Sequence, residues 1–389
     1  MSDASITQRL TRQLGTVWPN HEQQLVLQAI FAEPERAREA YLAWRGTLDI
    51  EQPFDGAVMR LLPLLYLRLL KIGLNDPLTG RLKGVYRRAW SDTHSLFHGT
   101  APALSVLREA SIDTMLLKGA PLILRNYRNY GCRPMSDVDI AVRFADVEAA
   151  VRALSLAGWT SVTPISRDDL EFRHAAPIRG PDGHEVDLHW HVLFTNCSTE
   201  ADASFWHNRQ PVMFRAIATS APGPTPALLH TLAHGMYPNI ESPIRWIADA
   251  LTLLHDPQVT IDWPLFCRTA GNLGLSHRVL LALIYLQECH GQKIPATVLQ
   301  TLAKTRRSPA EVLELAVMAR RDRWRRPAAV DRCLLIAAEF FRLARGRTGI
   351  AVATMIPDFI RYRLGIVSWR GWFRDRLWRM KQSLGQALG

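Results

Sequence analysis

The sequence predicts an α+β fold, a small mixed-sheet core flanked by N-terminal and C-terminal helical regions. Three observations lead there. Apolar residues recur at i, i+3 and i+4 through most of residues 1–108, as a buried helix face requires. The period shortens near Ile112 into brief β-like runs punctuated by turns. Helical spacing resumes at about residue 225. The expected regions are therefore 1–108 (helical), 109–220 (α/β core) and 221–389 (helical, ending in a basic amphipathic tail).

In the first region EQQLVLQAIF, PERAREAYLAW, GAVMRLLPLLYLRLL and GRLKGVYRRAW carry the helical spacing. IDTMLL then reads as a strand, KGAP as a turn and LILRNY as a helix start with Pro121 in its first turn, a position that tolerates proline. RPMSDVDIAV is the next strand. DVEAAVRALSLAG is a helix with Asp146 as N-cap and Gly158 as its stop. A short strand at GWTSV precedes a hairpin with arms EFRHAAPI and HEVDLHWHV, turned at GPDG. APGPTP at 221–226 is the expected linker, and ALLHTLAHGM, PIRWIADALTLL, HRVLLALIYLQECH, AEVLELAVMA and DRCLLIAAEFFRLA follow as helices.

Composition excludes several classes. The hydrophobic fraction of 48% and charged fraction of 21% are ordinary for a globular chain, which argues against disorder. Cys132, Cys197, Cys267, Cys289 and Cys333 form no CxxC pair, so neither a disulfide framework nor a thiolate zinc site is expected. MSDASITQRL lacks the apolar stretch of a signal peptide and no 18-residue apolar run occurs, so a cytoplasmic location is expected. The net charge of +11 is uneven: residues 359–389 hold seven basic residues against Asp375. In that tail Trp369, Trp372, Phe373, Leu377 and Met380 share a helix face, the pattern of a docked final helix or of a segment that touches a membrane surface or a partner.

The chemistry concentrates in the core. Strand alternation turns Asp137 and Asp139 to one face while Val138, Ile140 and Val142 take the other. Two carboxylates that close repel, and both can stay ionised if something positive, such as a divalent cation, sits between them. EVDLHWH supplies a third: Asp187, His189 and His191 share one face, Val186, Leu188 and Trp190 the other. Upstream, the strand runs through Lys118 and Gly119 into a helix start, where glycine lets an anion approach the backbone and Lys118 and Arg133 add positive charge. Lys118, Gly119 and Arg133 are thus expected to bind phosphate, and Asp137, Asp139 and Asp187 to bind Mg²⁺, two ions by the usual count, with Mn²⁺ as a substitute. The parts describe phosphoryl or nucleotidyl transfer.

LLKGA, YGCRPMSDVDIAV, EVDLHW and IRWIADALTLL together resemble the uncharacterised nucleotidyltransferase-like family of bacteria, a branch of the DNA polymerase β type nucleotidyltransferase superfamily. The resemblance implies that Gly119 is the glycine of the turn, that Asp137 and Asp139 are paired metal ligands, and that Asp187 is the third carboxylate, which helps position or activate the acceptor hydroxyl. It departs at Ala120, where many superfamily members carry a phosphate-holding serine, and in the 17 residues between Gly119 and Asp137. The implied activity moves a nucleoside monophosphate from an NTP such as ATP to an acceptor hydroxyl or phosphate, for instance of a natural product, peptide or saccharide, releasing pyrophosphate.

Rival readings remain at this level. They are a toxin-like transferase acting on tRNA, a non-catalytic nucleotide-binding module, and a phosphotransferase that releases a nucleoside diphosphate. On the acceptor side, His189 is expected to orient substrate or act as a base. Asp249 is expected either to close over the nucleotide or to pair with Arg245 four residues earlier. His230 and His234 have zincin-like spacing, but the glutamate of HExxH is missing, so a protease is not expected.

Overall fold

A computed structural model describes residues 18–48, 53–237, 244–320, 329–363 and 365. The basic face expected in the tail beyond residue 365 lies outside the described residues.

Helices α1 (His21–Phe31), α2 (Pro34–Gly46), α3 (Leu62–Lys71) and the 31-residue α4 (Thr79–Glu109) precede the sheet. α1 starts where the sequence can satisfy its free amides. The Asn20 side chain accepts from the Gln23 amide, and the Gln23 side chain accepts from the Asn20 amide in return. Next come β1 (Thr114–Leu116), a short helix at Gly119–Leu122 that widens into a π turn at Ile123–Tyr127, β2 (Val138–Val142) and α5 (Val147–Leu156). After α5 the chain stops at Gly158, whose φ of +83° needs a residue without Cβ.

Strands β3 (Thr160–Ser161), β4 (Ala175–Arg179) and β5 (Glu185–His189), helix α6 (Thr199–His207) and strands β6 (Arg209–Phe214) and β7 (Ile217–Pro222) complete the core. The mixed sheet has the order β3-β4-β5-β2-β1-β7-β6. β2 lies parallel to β5 and antiparallel to β1, while β1 and β7 are parallel. The C-terminal helices are α7 (Pro224–Gly235), α8 (Arg245–His255), α9 (Trp263–Leu273), α10 (Ser276–His290), α11 (Ala296–Lys304), α12 (Pro309–Arg320), α13 (Ala329–Leu343) and α14 (Gly349–Arg363).

Three local expectations are corrected. Glu171 and Phe172, expected to open a hairpin arm, instead end a helix at Arg167–Phe172 that starts where Ser166 and Asp169 make a capping box. The β6–β7 hairpin was missed, because Pro211 and Pro222 argue against a strand; Pro211 is tolerated because β6 is the edge of the sheet. The APGPTP stretch is not a slack connection: Pro222 still pairs with Arg209, and α7 starts two residues later with proline in its first turn.

The sheet separates two apolar cores, and strand alternation assigns residues to them. Val138, Ile140 and Val142 with Val186, Leu188 and Trp190 face α4 and α5. The opposite face, which includes Met115, Leu117 and Ala141, meets helices from both ends of the chain. Leu27, Trp44 and Leu65 pack there in one cluster with Leu229, Ile247 and Leu286, and Trp18 stacks on Tyr285 with ring centroids 4.7 Å apart. The carboxylates of β2 and β5 fall on this helix-covered face, so the helical regions wall the site in.

Candidate active site

Asp139 and Asp187 are direct neighbours in the parallel β2–β5 register. Their oxygens and a ring nitrogen of His189 lie within 4.8 Å of one another, a set able to hold a metal ion. Asp139 is 3% exposed, and two groups share its Oδ1: Lys118 Nζ at 2.5 Å and His189 Nε2 at 2.9 Å. Burial works to raise its pKa, but the Lys118 ammonium and His189 prevail and hold it well below the usual carboxylate range. The other His189 nitrogen, Nδ1, lies 3.2 Å from the His191 carbonyl oxygen, which fixes the ring. Asp187 has neither an ion pair nor a hydrogen bond among the described residues, so its charge is left for a cation.

Asp137 departs from the expected arrangement. It sits one residue before β2, and its carboxylate is outside the compact Asp139–Asp187–His189 set. Burial raises its pKa, and the Asp139 charge adds to that, with Lys118 opposing. Two neighbouring carboxylates thus have their pKa values driven apart. His189, expected on the acceptor side, takes a place in the set instead. His191 belongs to the interior, where its Nδ1 lies 2.7 Å from Asp202 Oδ2.

Lys118 adopts φ +52°, a strained conformation costing roughly 1–3 kcal/mol for a non-glycine residue and typical of functional turns. That backbone turn directs the chain from β1 into the short helix while its side chain returns to Asp139. A Cβ at position 119 would crowd Arg133 Nη1, so glycine leaves room for that guanidinium, and Gly119 also lines the cavity.

Arg133, expected as a phosphate ligand, is 6% exposed and committed to Asp249: Nε donates to Oδ1 at 2.9 Å and Nη2 to Oδ2 at 3.0 Å. Tyr127 Oη donates to the same carboxylate at 2.8 Å. The expected Arg245–Asp249 pair does not form. Arg245 Nη1 donates to the Pro134 carbonyl at 2.9 Å, and the Arg133 guanidinium, with burial, pulls Arg245 down to about 10. Asp249 is therefore the anchor of the segment between the glycine turn and β2.

These elements enclose a cavity of about 890 Å³. Lys118, Gly119, Asp137, Asp139 and Arg245 line one end, and Arg128, Asp256 and Gln258 line the other. Arg245 and Asp256 lie at opposite ends of α8, so the cavity runs about 16 Å along that helix at 1.5 Å per residue. Asp187 is not among its lining residues.

A strained turn bearing a lysine is aimed at a carboxylate pair on adjacent parallel strands, a set able to hold a metal ion, beside an elongated cavity. The model of the family described as uncharacterised nucleotidyltransferase matches residues 57–291. The chain belongs to that family. No curated protein matches the chain. As a nucleotidyltransferase family member, it keeps all of the site residues above inside the matched span, from Lys118 to Gln258. Sequence reasoning missed His230, His234 and Trp246 as cavity-lining groups, because a histidine on a largely apolar helix also reads as core. Among the described residues no helix is long and apolar enough to cross a membrane.

Proposed function

We propose that the protein is a divalent-metal-dependent nucleotidyltransferase, moving a nucleoside monophosphate from an NTP to an acceptor hydroxyl with release of pyrophosphate. The observation that carries this reading is the register pairing of Asp139 with Asp187 beside Lys118 at one end of the cavity. The donor set fits Mg²⁺, with Mn²⁺ suited by the additional imidazole: two carboxylates, one without a counter-charge, and His189 within ligand reach. Asp139 and Asp187 would hold the ion, and Asp137 lies at the same end of the cavity to complete the shell. Bound there, the ion would neutralise charge developing on the phosphate oxygens.

The chain's own groups do the rest. Lys118 and Arg245 attract the triphosphate, and Lys118 leaves Asp139 to do so. The buried Arg133–Asp249 pair keeps the turn in place. The acceptor oxygen bonds to the α-phosphorus, the bond to the bridging oxygen of the β-phosphate breaks, and pyrophosphate leaves with that electron pair. Asp187, outside the cavity lining and without a partner, takes the hydroxyl proton from the acceptor side.

The test incubates the protein with each NTP, Mg²⁺ and small-molecule, peptide and RNA extracts, beside an Asp139→Asn, Asp187→Asn double variant, with mass spectrometry of the products. A nucleotide-monophosphate mass gain on one species, absent with the variant, supports the reading. Release of nucleoside diphosphate would replace it with phosphotransfer. Nucleotide bound without turnover by either protein would replace it with a binding module.

A further inference from the structure

One wall of the cavity carries polar groups that the protein leaves unanswered. His230 on α7 is 5% exposed and lines the cavity, and neither of its ring nitrogens has a hydrogen-bond partner among the described residues. His234, one turn on, also lines the cavity, and its Nδ1 is buried without a partner. The two rings stand at 86° with centroids 6.3 Å apart. A buried polar atom left unsatisfied, as His234 Nδ1 is, costs about 1–3 kcal/mol, so a wall holding it beside the unpartnered His230 imidazole suits a ligand that brings hydrogen-bonding groups.

The state of these rings narrows the ligand class. Burial pushes both below the ordinary histidine range, His234 to about 4, and nearby Lys118 acts in the same direction. A neutral imidazole presents one donor and one acceptor, which matches a hydroxyl and offers no charge to a phosphate. Position narrows it further. His234 is at the Lys118–Asp139 end, and Lys118 is the charge that acts on it most strongly. His230 lies one helical turn, about 5.4 Å, deeper. Beyond it the lining combines the apolar Ala227, Leu253 and Val259 with Arg128, Asp256 and Gln258 at the far end. In a nucleotide whose phosphates sit at the lysine end, the group attached to the α-phosphate is the sugar, and the base comes after it.

We infer that His230 and His234 form the sugar subsite of the donor nucleotide and hydrogen-bond its ribose hydroxyls. The inference rests on the nucleotidyl-transfer reading above. Sugar hydroxyls could also arrive on a saccharide acceptor, and the experiment separates the two sources.

The four ribonucleoside triphosphates are titrated into the full chain with Mg²⁺ by calorimetry. The tightest is then compared with its 2′-deoxy and 3′-deoxy forms on wild type, His230→Phe, His234→Phe and the milder His230→Gln, each first checked for a cooperative thermal transition. The expected result is a wild-type preference of about tenfold for the ribonucleotide over at least one deoxy form, the value of one hydrogen bond. The preference collapses towards unity in a Phe variant, while affinity for that deoxy form stays at the wild-type level. A wild-type protein that binds ribo and deoxy forms equally, or folded variants that retain the preference, overturns the subsite and leaves the donor reading standing; a saccharide-acceptor role for the histidines gives that same pattern. No binding of any triphosphate to wild type removes the donor reading itself, and this inference with it.

Discussion

Arg133 and Asp249 meet in the interior, 116 residues apart in sequence, through two parallel hydrogen bonds of 2.9 and 3.0 Å. Both side chains are about 7% exposed. The pair ties α8 to the segment that separates Gly119 from Asp137, and Arg133 Nη1 occupies the place where a Cβ on residue 119 would stand. One ion pair thus sets the position of the turn and of the strand entry that carries the carboxylates.

Asp249→Ala is accordingly expected to cost about 3–5 kcal/mol, because it leaves a buried guanidinium unpaired. Replacing both partners, Arg133→Met with Asp249→Leu, recovers most of that loss while turnover stays low. Urea denaturation of the three proteins measures it. A single-variant loss below about 1 kcal/mol would mean that Arg133 finds another partner and the clamp does not exist.

Asp139→Asn and Asp187→Asn are expected to behave differently although they are neighbours in register. Asp139 balances Lys118 and His189, so its loss lowers both stability and metal affinity. Asp187 balances nothing in the protein, so its loss weakens Mn²⁺ binding, read by electron paramagnetic resonance, with a stability change within about 0.5 kcal/mol. Equal destabilisation by the two substitutions would contradict this division.

Asp137 carries a pH signature. Its folded-state pKa is raised, so its contribution to stability is present below the unfolded value of about 3.9 and is lost as pH rises through the folded value. At neutral pH, with chelator present, Asp137→Asn is expected to raise the melting temperature, and the gain disappears below about pH 4. Millimolar Mg²⁺ should then stabilise wild type more than the variant. A gain independent of pH would separate Asp137 from the charge cluster.

His234 gives the opposite sign. Its pKa is lowered to about 4, so its contribution is complete above the unfolded value of about 6.5 and is lost as pH falls towards 4. His230 is depressed as well and adds to the same loss. His234→Phe is expected to flatten the stability profile between pH 6.5 and 4, as followed by thermal melts. An unchanged slope would show that the imidazole is not held neutral by its surroundings.

The sequence by itself determined what depends on near neighbours. Period-2 alternation put Val138, Ile140 and Val142 on one face and Asp139 on the other, and did the same for Val186, Leu188 and Asp187; the helical spacing of both flanks was equally legible. Only the tertiary structure decided which groups meet. The i−4 rule offered Arg245 to Asp249, but Arg245 donates to the Pro134 carbonyl instead, and the two-pronged partner of the buried carboxylate is Arg133, from 116 residues away. In the same way, Gly119 answers to Arg133, His189 joins the carboxylates across the β2–β5 register, and α7 turns two histidines into a cavity wall. The Arg133–Asp249 and Asp139–His189 contacts depend on closing loops of 116 and 50 residues around a common core, which no window of neighbouring residues encodes.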